Sequence, residues 1–133
     1  MQLEDSRRFA FVDSEEVNAL WAAQYPNNGI LYLGTEDQQP FTISMFHEIR
    51  CIDIIRSEIL QAQKLNNTVL PGRLVLHCLN YIRQMVLCRA DMNADAVYQL
   101  PVGLLSGTSI CNDWTKVYDA TQKNHERYKE LQG

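Results

Sequence analysis

The 133 residues hold no run of basic side chains, no Gly-rich phosphate loop, no Gly-x-Ser-x-Gly elbow and no Cys-x-x-Cys pair. The first absence, with a net charge of −4, excludes nucleic acid as the main partner, because phosphate binding needs clustered Lys and Arg. It also gives no support for an anionic membrane surface. The others remove P-loop nucleotide hydrolysis, serine-hydrolase chemistry of the elbow type and thioredoxin-like redox exchange. No apolar stretch approaches the ~20 residues that cross a bilayer. The opening MQLEDSRRFAFV is too polar for a signal peptide. The expectation is a cytoplasmic chain, or one from which an upstream anchor has been removed. In the second case the endoplasmic-reticulum lumen or the secretory route is its place, and the even cysteine count and the Asn66-Asn67-Thr68 glycosylation triplet would suit it.

What is present is ordinary for a globular protein: 46% apolar and 21% charged residues, and enough chain for one domain with its own core, here residues 1–133. No repeat of longer period occurs. Residues 1–12 read as an arm or edge segment. Asp13-Ser14-Glu15-Glu16 starts a short amphipathic helix over about 14–24, stopped by Pro26-Asn27-Asn28-Gly29. Residues 30–33 form a short strand, 35–40 a polar turn. A helix capped by Thr42 or Ser44 runs to about Lys64. A loop to Gly72 follows, and Pro71 suits the first turn of the central helix, which ends near 91–94. Residues 97–102 are a second strand candidate, able to pair with 30–33. Asn112 or Asp113 caps a last helix with Trp114, Val117 and Tyr118 facing inward and a solvated polar tail. The fold class is therefore mainly α: about four helices with a short two-stranded β element.

The central helix carries Leu74, His77, Cys78, Tyr81, Ile82, Met85 and Cys88 at spacings of three and four, hence on one side. The helix before it presents His47 and Cys51 four apart. Chemistry belongs where these two helices face each other. Two imidazoles fall short of the three or four donors of a tight transition-metal site, so buried, hydrogen-bonded His beside structural Cys is the competing reading. A plain antiparallel hairpin turning at residue 68 would set His47 level with residue 89, roughly 18 Å from His77 along the axis. A shared site then needs an early helix break, a steep crossing or a second chain. Cys88 and Cys111 could close a loop of about 22 residues with a disulfide worth about 3 kcal/mol, or remain thiols. Cys51 and Cys78 could pair only if the helices converge. Arg83, in an apolar stretch, must reach water or a carboxylate. Asp91 is a helix-end acid and His125 part of a polar face.

Taken together, His47-Glu48-Ile49-Arg50-Cys51, the stretch Leu74 to Cys78 and the continuation Ile82-Arg83-Gln84-Met85-Val86-Leu87-Cys88-Arg89-Ala90-Asp91 resemble the ustiloxin-oxidase-like (UstYa-type) proteins of fungal secondary metabolism. Their mark is a pair of H-x-x-H-C motifs on two helices. Cys111-Asn112-Asp113-Trp114 is similar to the family's C-R-D-W, and His125 lies where its last helix often carries a His. The resemblance implies a tailoring enzyme of mycotoxin-type biosynthesis acting on a polyketide, terpenoid or peptide intermediate, with copper as the implied metal. A homodimer or heterodimer is compatible with it. This chain departs from the pattern twice: Arg50 replaces the second His of the first motif, and Leu74 the first His of the second.

From the departures follows the expectation of a metal-independent cyclase or isomerase. His47, Arg50, His77, Tyr81 and Asp91 are its candidate catalytic residues, and Arg83 and His125 its candidate substrate-binding residues. No cofactor is preferred. The alternatives are a copper-dependent oxidase holding metal through His47 and His77, and a non-catalytic subunit that completes an intact homologue.

Overall fold

A computed structural model describes residues 2–3, 7–35, 38–66, 70–90, 107–108 and 110–133. In order the chain forms β1 (Gln2–Leu3), a 3₁₀ turn, α1 (Glu15–Ala22), a second 3₁₀ turn (Pro26–Gly29), β2 (Ile30–Leu33), β3 (Gln39–Thr42), α2 (Ser44–Lys64), α3 (Arg73–Arg89), β4 (Gly107–Thr108) and α4 (Thr115–Gln132). The described chain is thus mainly α, with four helices and two small antiparallel ribbons, β1–β4 and β2–β3.

Local chemistry sets most of these boundaries. Ser14, in extended backbone, accepts the Val17 N–H and caps α1. The helix stops at Ala22, two residues earlier than expected. α2 keeps its expected span, but neither Thr42 nor Ser44 caps it. Extended Ile43 leads straight from β3 into the first turn, with no side-chain cap. Pro71 lies just before α3 rather than inside it, and Gly72 is the N-cap. Ala90 turns left-handed (φ 43°) and closes α3 at Arg89, short of the expected end. Asp91 and the strand candidate 97–102 lie outside the described residues.

β2 finds its partner in β3, which begins in the last two residues of the stretch read from sequence as a polar turn, with Tyr32 opposite Pro40 and Leu31 opposite Phe41. On the other edge, Tyr32 donates its N–H to Asn124 Oδ1 at 2.8 Å and accepts from Asn124 Nδ2 at 2.7 Å. Both polar groups of Tyr32 therefore point away from β3. Pro40 sits at a position where its missing N–H removes no ladder bond. An amide on α4 thus finishes an edge that a third strand would otherwise cover.

Among the described residues the core is small: Phe46, Cys51, Leu60, Val75 and Cys78, with Arg56 and Thr121 also buried. Phe46 is fully enclosed, under the Tyr118 ring at 5.1 Å. The tail of α4 is not wholly solvated. Val117, Tyr118, Thr121, Asn124, His125 and Tyr128 form a stripe turned from solvent, and Tyr128 stacks on Tyr32 with centroids 3.6 Å apart. Trp114, expected inside, is half exposed. It precedes the first helical residue, and Asp113 accepts the Thr115 N–H beside it.

Candidate functional site at the α2–α3 contact

Helices α2 and α3 pack antiparallel, but not as a symmetric hairpin. Cys51 and Cys78 are neighbours across the two helices, close enough for Cys78 to disfavour the Cys51 thiolate, and the His47 ring stacks on Tyr81 at 3.9 Å. These contacts put His47 about level with Ile82, so α3 is slid by about seven residues, roughly 10 Å, from the symmetric register. The last two turns of α2 project past the start of α3, where Lys64 pairs with Asp13. The imidazoles thus meet within one chain and with α2 unbroken. The His47 and His77 ring centroids are 5.6 Å apart, 25° from parallel.

The turn 25–29 supplies the second wall. Asn27 and Asn28 both take left-handed backbone (φ 54° and 58°), as does Gly29 (φ 72°). At Gly29 a Cβ would stand 2.9 Å from Phe46 Cβ, so only glycine lets the turn press on α2. The Asn28 carbonyl then accepts from Arg50 Nη1 at 3.2 Å.

Between these walls lies a hollow of about 430 Å³. His47, Arg50, Leu74 and His77 all line it, and these are the four imidazole positions of the paired H-x-x-H-C pattern. Cys51 and Cys78 also line it, with Ile30, Phe41 and Ile54 among the apolar walls. Burial lowers the proton affinity of His47 below the usual imidazole value; the neighbouring His77 and the Arg50 charge act in the same direction, against a smaller opposing effect of Glu48. Burial, reinforced by Cys78, pushes the Cys51 thiol up to about 12. The site thus offers a basic imidazole, a second imidazole, a guanidinium and a largely apolar wall.

Of the residues expected from sequence, His47, Arg50, His77 and Tyr81 come together. Arg83 does not line this hollow: it is exposed and donates to Asn80 at 3.1 Å. His125 lies on α4 against Tyr32 and lines a separate cavity of about 320 Å³ with Tyr118, Gln122 and Lys129. Asp91 is outside the described residues. Cys88 and Cys111 are surface thiols. Sequence reasoning missed the turn 26–29 and the β3 face as walls. The consecutive asparagines before a glycine were the available signal, since these residues tolerate positive φ.

Copper, which the resemblance implies, was tested against this donor set. No group of three His, Cys, Asp or Glu side chains converges among the described residues. The two remaining motif positions hold Leu74, without a donor atom, and Arg50, a cation. These residues do not fit a three- or four-donor metal site.

Comparison with known proteins agrees on kinship. The family described as Mycotoxin biosynthesis protein UstYa matches residues 3–124. The chain is similar to Oxidase ustYa of Aspergillus flavus, 35% identical over 49 residues, covering 37% of this chain and 23% of that protein. It is also similar to UstYa family oxidase phomYd of Diaporthe leptostromiformis, 28% identical over 91 residues, covering 64% of this chain and 28% of that one. The matched region spans about a quarter of the length of these curated relatives. No solved structure matches.

Proposed function

This chain belongs to the UstYa family of mycotoxin biosynthesis proteins, and from that premise we propose that it is a tailoring enzyme that closes or isomerises a ring by acid/base chemistry. The observation that carries the reading is the meeting of His47, Arg50 and His77 in one largely apolar hollow, with His47 biased to its neutral, basic form.

The chemistry follows from these groups. A proton leaves a carbon next to a carbonyl for His47, and the electron pair moves onto the carbonyl oxygen, which the Arg50 guanidinium holds. The enolate then either takes a proton back at a conjugated carbon, which isomerises the substrate, or attacks an electrophilic carbon of the same molecule, which closes a ring. In the second case the proton returns to the product anion. His77, beside His47, is placed to share the proton transfer. Tyr81, stacked on His47, holds the ring in plane. The relatives are named oxidases; this reading gives the present chain a non-redox variant, because two of its four motif positions have exchanged imidazole for Arg50 and Leu74.

The test uses the intermediate that accumulates when the gene is deleted from its host. Purified protein should convert it with a copper chelator present, and His47→Ala should lose at least about 100-fold in kcat, the lower bound for a general base. Stoichiometric copper on the purified protein, with activity lost to the chelator, overturns the reading in favour of the oxidase. Turnover only after mixing with an intact homologue overturns it in favour of a non-catalytic partner.

A further inference from the structure

We propose that Cys51 and Cys78 are joined by a disulfide that locks α3 on α2 in the slid register, forming a covalent floor to the hollow. Both side chains are about 1% exposed, they face each other from different helices, and both line the same cavity. The two helices that carry them pack directly on each other, with His47 stacked on Tyr81 one turn away. This inference does not depend on the reaction proposed above.

The position explains why a cross-link belongs there. An antiparallel helix pair can slide by a turn or a heptad and still meet ridges with grooves. The symmetric register would separate His47 from His77. Val75 and Cys78 are the buried side chains of α3, so few apolar contacts on that helix oppose such a slide. A bond between residues 51 and 78 removes it, and it closes a loop of roughly 28 residues that contains the whole α2–α3 connection.

The bond forms by thiol–disulfide exchange. One thiolate attacks a disulfide donor, such as oxidised glutathione or an oxidised dithiol protein, and expels one thiol. The second thiolate attacks the mixed disulfide and expels the other. Two protons and two electrons leave the cysteines, and the donor is reduced to two thiols. In the folded chain both side chains are about 1% exposed, so a disulfide donor does not reach either thiol. The exchange therefore takes place before α2 and α3 close.

The test is to refold the chain with a mixture of oxidised and reduced glutathione, denature it without reductant, alkylate with iodoacetamide and map the peptides. The expected result is a single cross-linked species containing Cys51 and Cys78, both unalkylated. Alkylation of both residues, or either one found bonded to Cys88 or Cys111, overturns the proposal. As a second measurement, the oxidised chain should melt higher than chain refolded in dithiothreitol by on the order of 10 °C. Equal melting of the two forms overturns the register-locking role. Both arms use the unsubstituted sequence, so neither depends on a cysteine variant folding.

Discussion

Replacing Arg56 with methionine should be the most costly single change of a charged residue on α2. Arg56 is only 4% exposed, and each nitrogen of its guanidinium donates a hydrogen bond. Nε donates to Asp53 Oδ1 at 2.8 Å, Nη2 to Asn18 Oδ1 at 2.9 Å and Nη1 to the Val12 carbonyl at 3.2 Å. The Trp21 ring lies 5.4 Å from Cζ. One side chain of α2 therefore ties together α1 and the strand of chain that leads into it. Methionine keeps the length and much of the packing but leaves the Asp53 carboxylate, the Asn18 amide and the Val12 carbonyl short of a donor. Breaking one partner of a buried ion pair costs about 3–5 kcal/mol. Asp53 retains the Tyr25 hydroxyl at 2.6 Å, and α1 lies near enough to the surface to admit water, so the low end, about 3 kcal/mol, is the expected loss. Urea unfolding at pH 7, extrapolated to water, measures it. The double variant Arg56→Met with Asp53→Leu should be less damaging than the two single losses added together, because the carboxylate left stranded is also gone. A loss under about 0.5 kcal/mol for Arg56→Met, or strict additivity in the double variant, refutes the argument that this cluster acts as one unit.

Gly29→Ala should destabilise by about 3 kcal/mol, from left-handed backbone strain together with the overlap against Phe46; unchanged thermal melting would show that the turn is not seated on α2. Asn124→Leu should cost about 2 kcal/mol, because the Tyr32 N–H and carbonyl both lose their side-chain partner. Denaturant unfolding checks this, and a neutral result would mean that water replaces the amide without penalty. The His47 effect has a definite sign. Its folded-state proton affinity is depressed, so the unfolded chain takes up the proton first as pH falls through about 6.5, and stability declines from there toward the lower folded-state value. His47→Gln should flatten that limb of a stability–pH profile; an unaltered limb assigns the titration to another group.

The extent of α2 and the place of β2 were legible because each has a clear local signal: a long helical period for one, a glycine-bracketed apolar run for the other. So was the pairing of the two His-bearing helices. Their register was not. It depends on where α3 begins against α2, and nothing in the sequence from Asn66 to Gly72 encodes that position locally. The face of α3 was read nearly whole, with Cys78, Tyr81, Ile82 and Met85 turned from solvent and Leu74 and His77 at the hollow, but Val75, which also turns to the core, was missed. Arg56 escaped notice because a charged residue amid isoleucines reads as a solvated break in the pattern. Its burial is visible only once Asp53, Asn18 and the Val12 carbonyl are seen to converge on it. The stripe on α4 was missed for a related reason: Thr121, Asn124 and His125 are polar, and they face inward for different ends, Asn124 to satisfy a strand edge, Thr121 to bond the Val117 carbonyl of its own helix and His125 to lie against the Tyr32 ring.

The two departures at the hollow make physical sense together on the acid/base reading. Arg50 is steered by the Asn28 carbonyl, a neutral acceptor, so the bond positions the guanidinium without cancelling its charge. That charge is one of the influences that keep His47 short of a proton. A single change from imidazole to guanidinium thus adds a group able to hold a developing oxyanion and also favours the basic form of the neighbouring ring. Leu74 removes a competing donor and leaves an apolar wall, in which a charge on the substrate is less screened by water and the attraction to Arg50 correspondingly stronger. Restoring His at position 74 alone would bring back a donor atom while Arg50 still faced the same space, so a cation would remain opposed there. Only the paired reversal, Arg50→His with Leu74→His, would return the hollow to an all-imidazole lining.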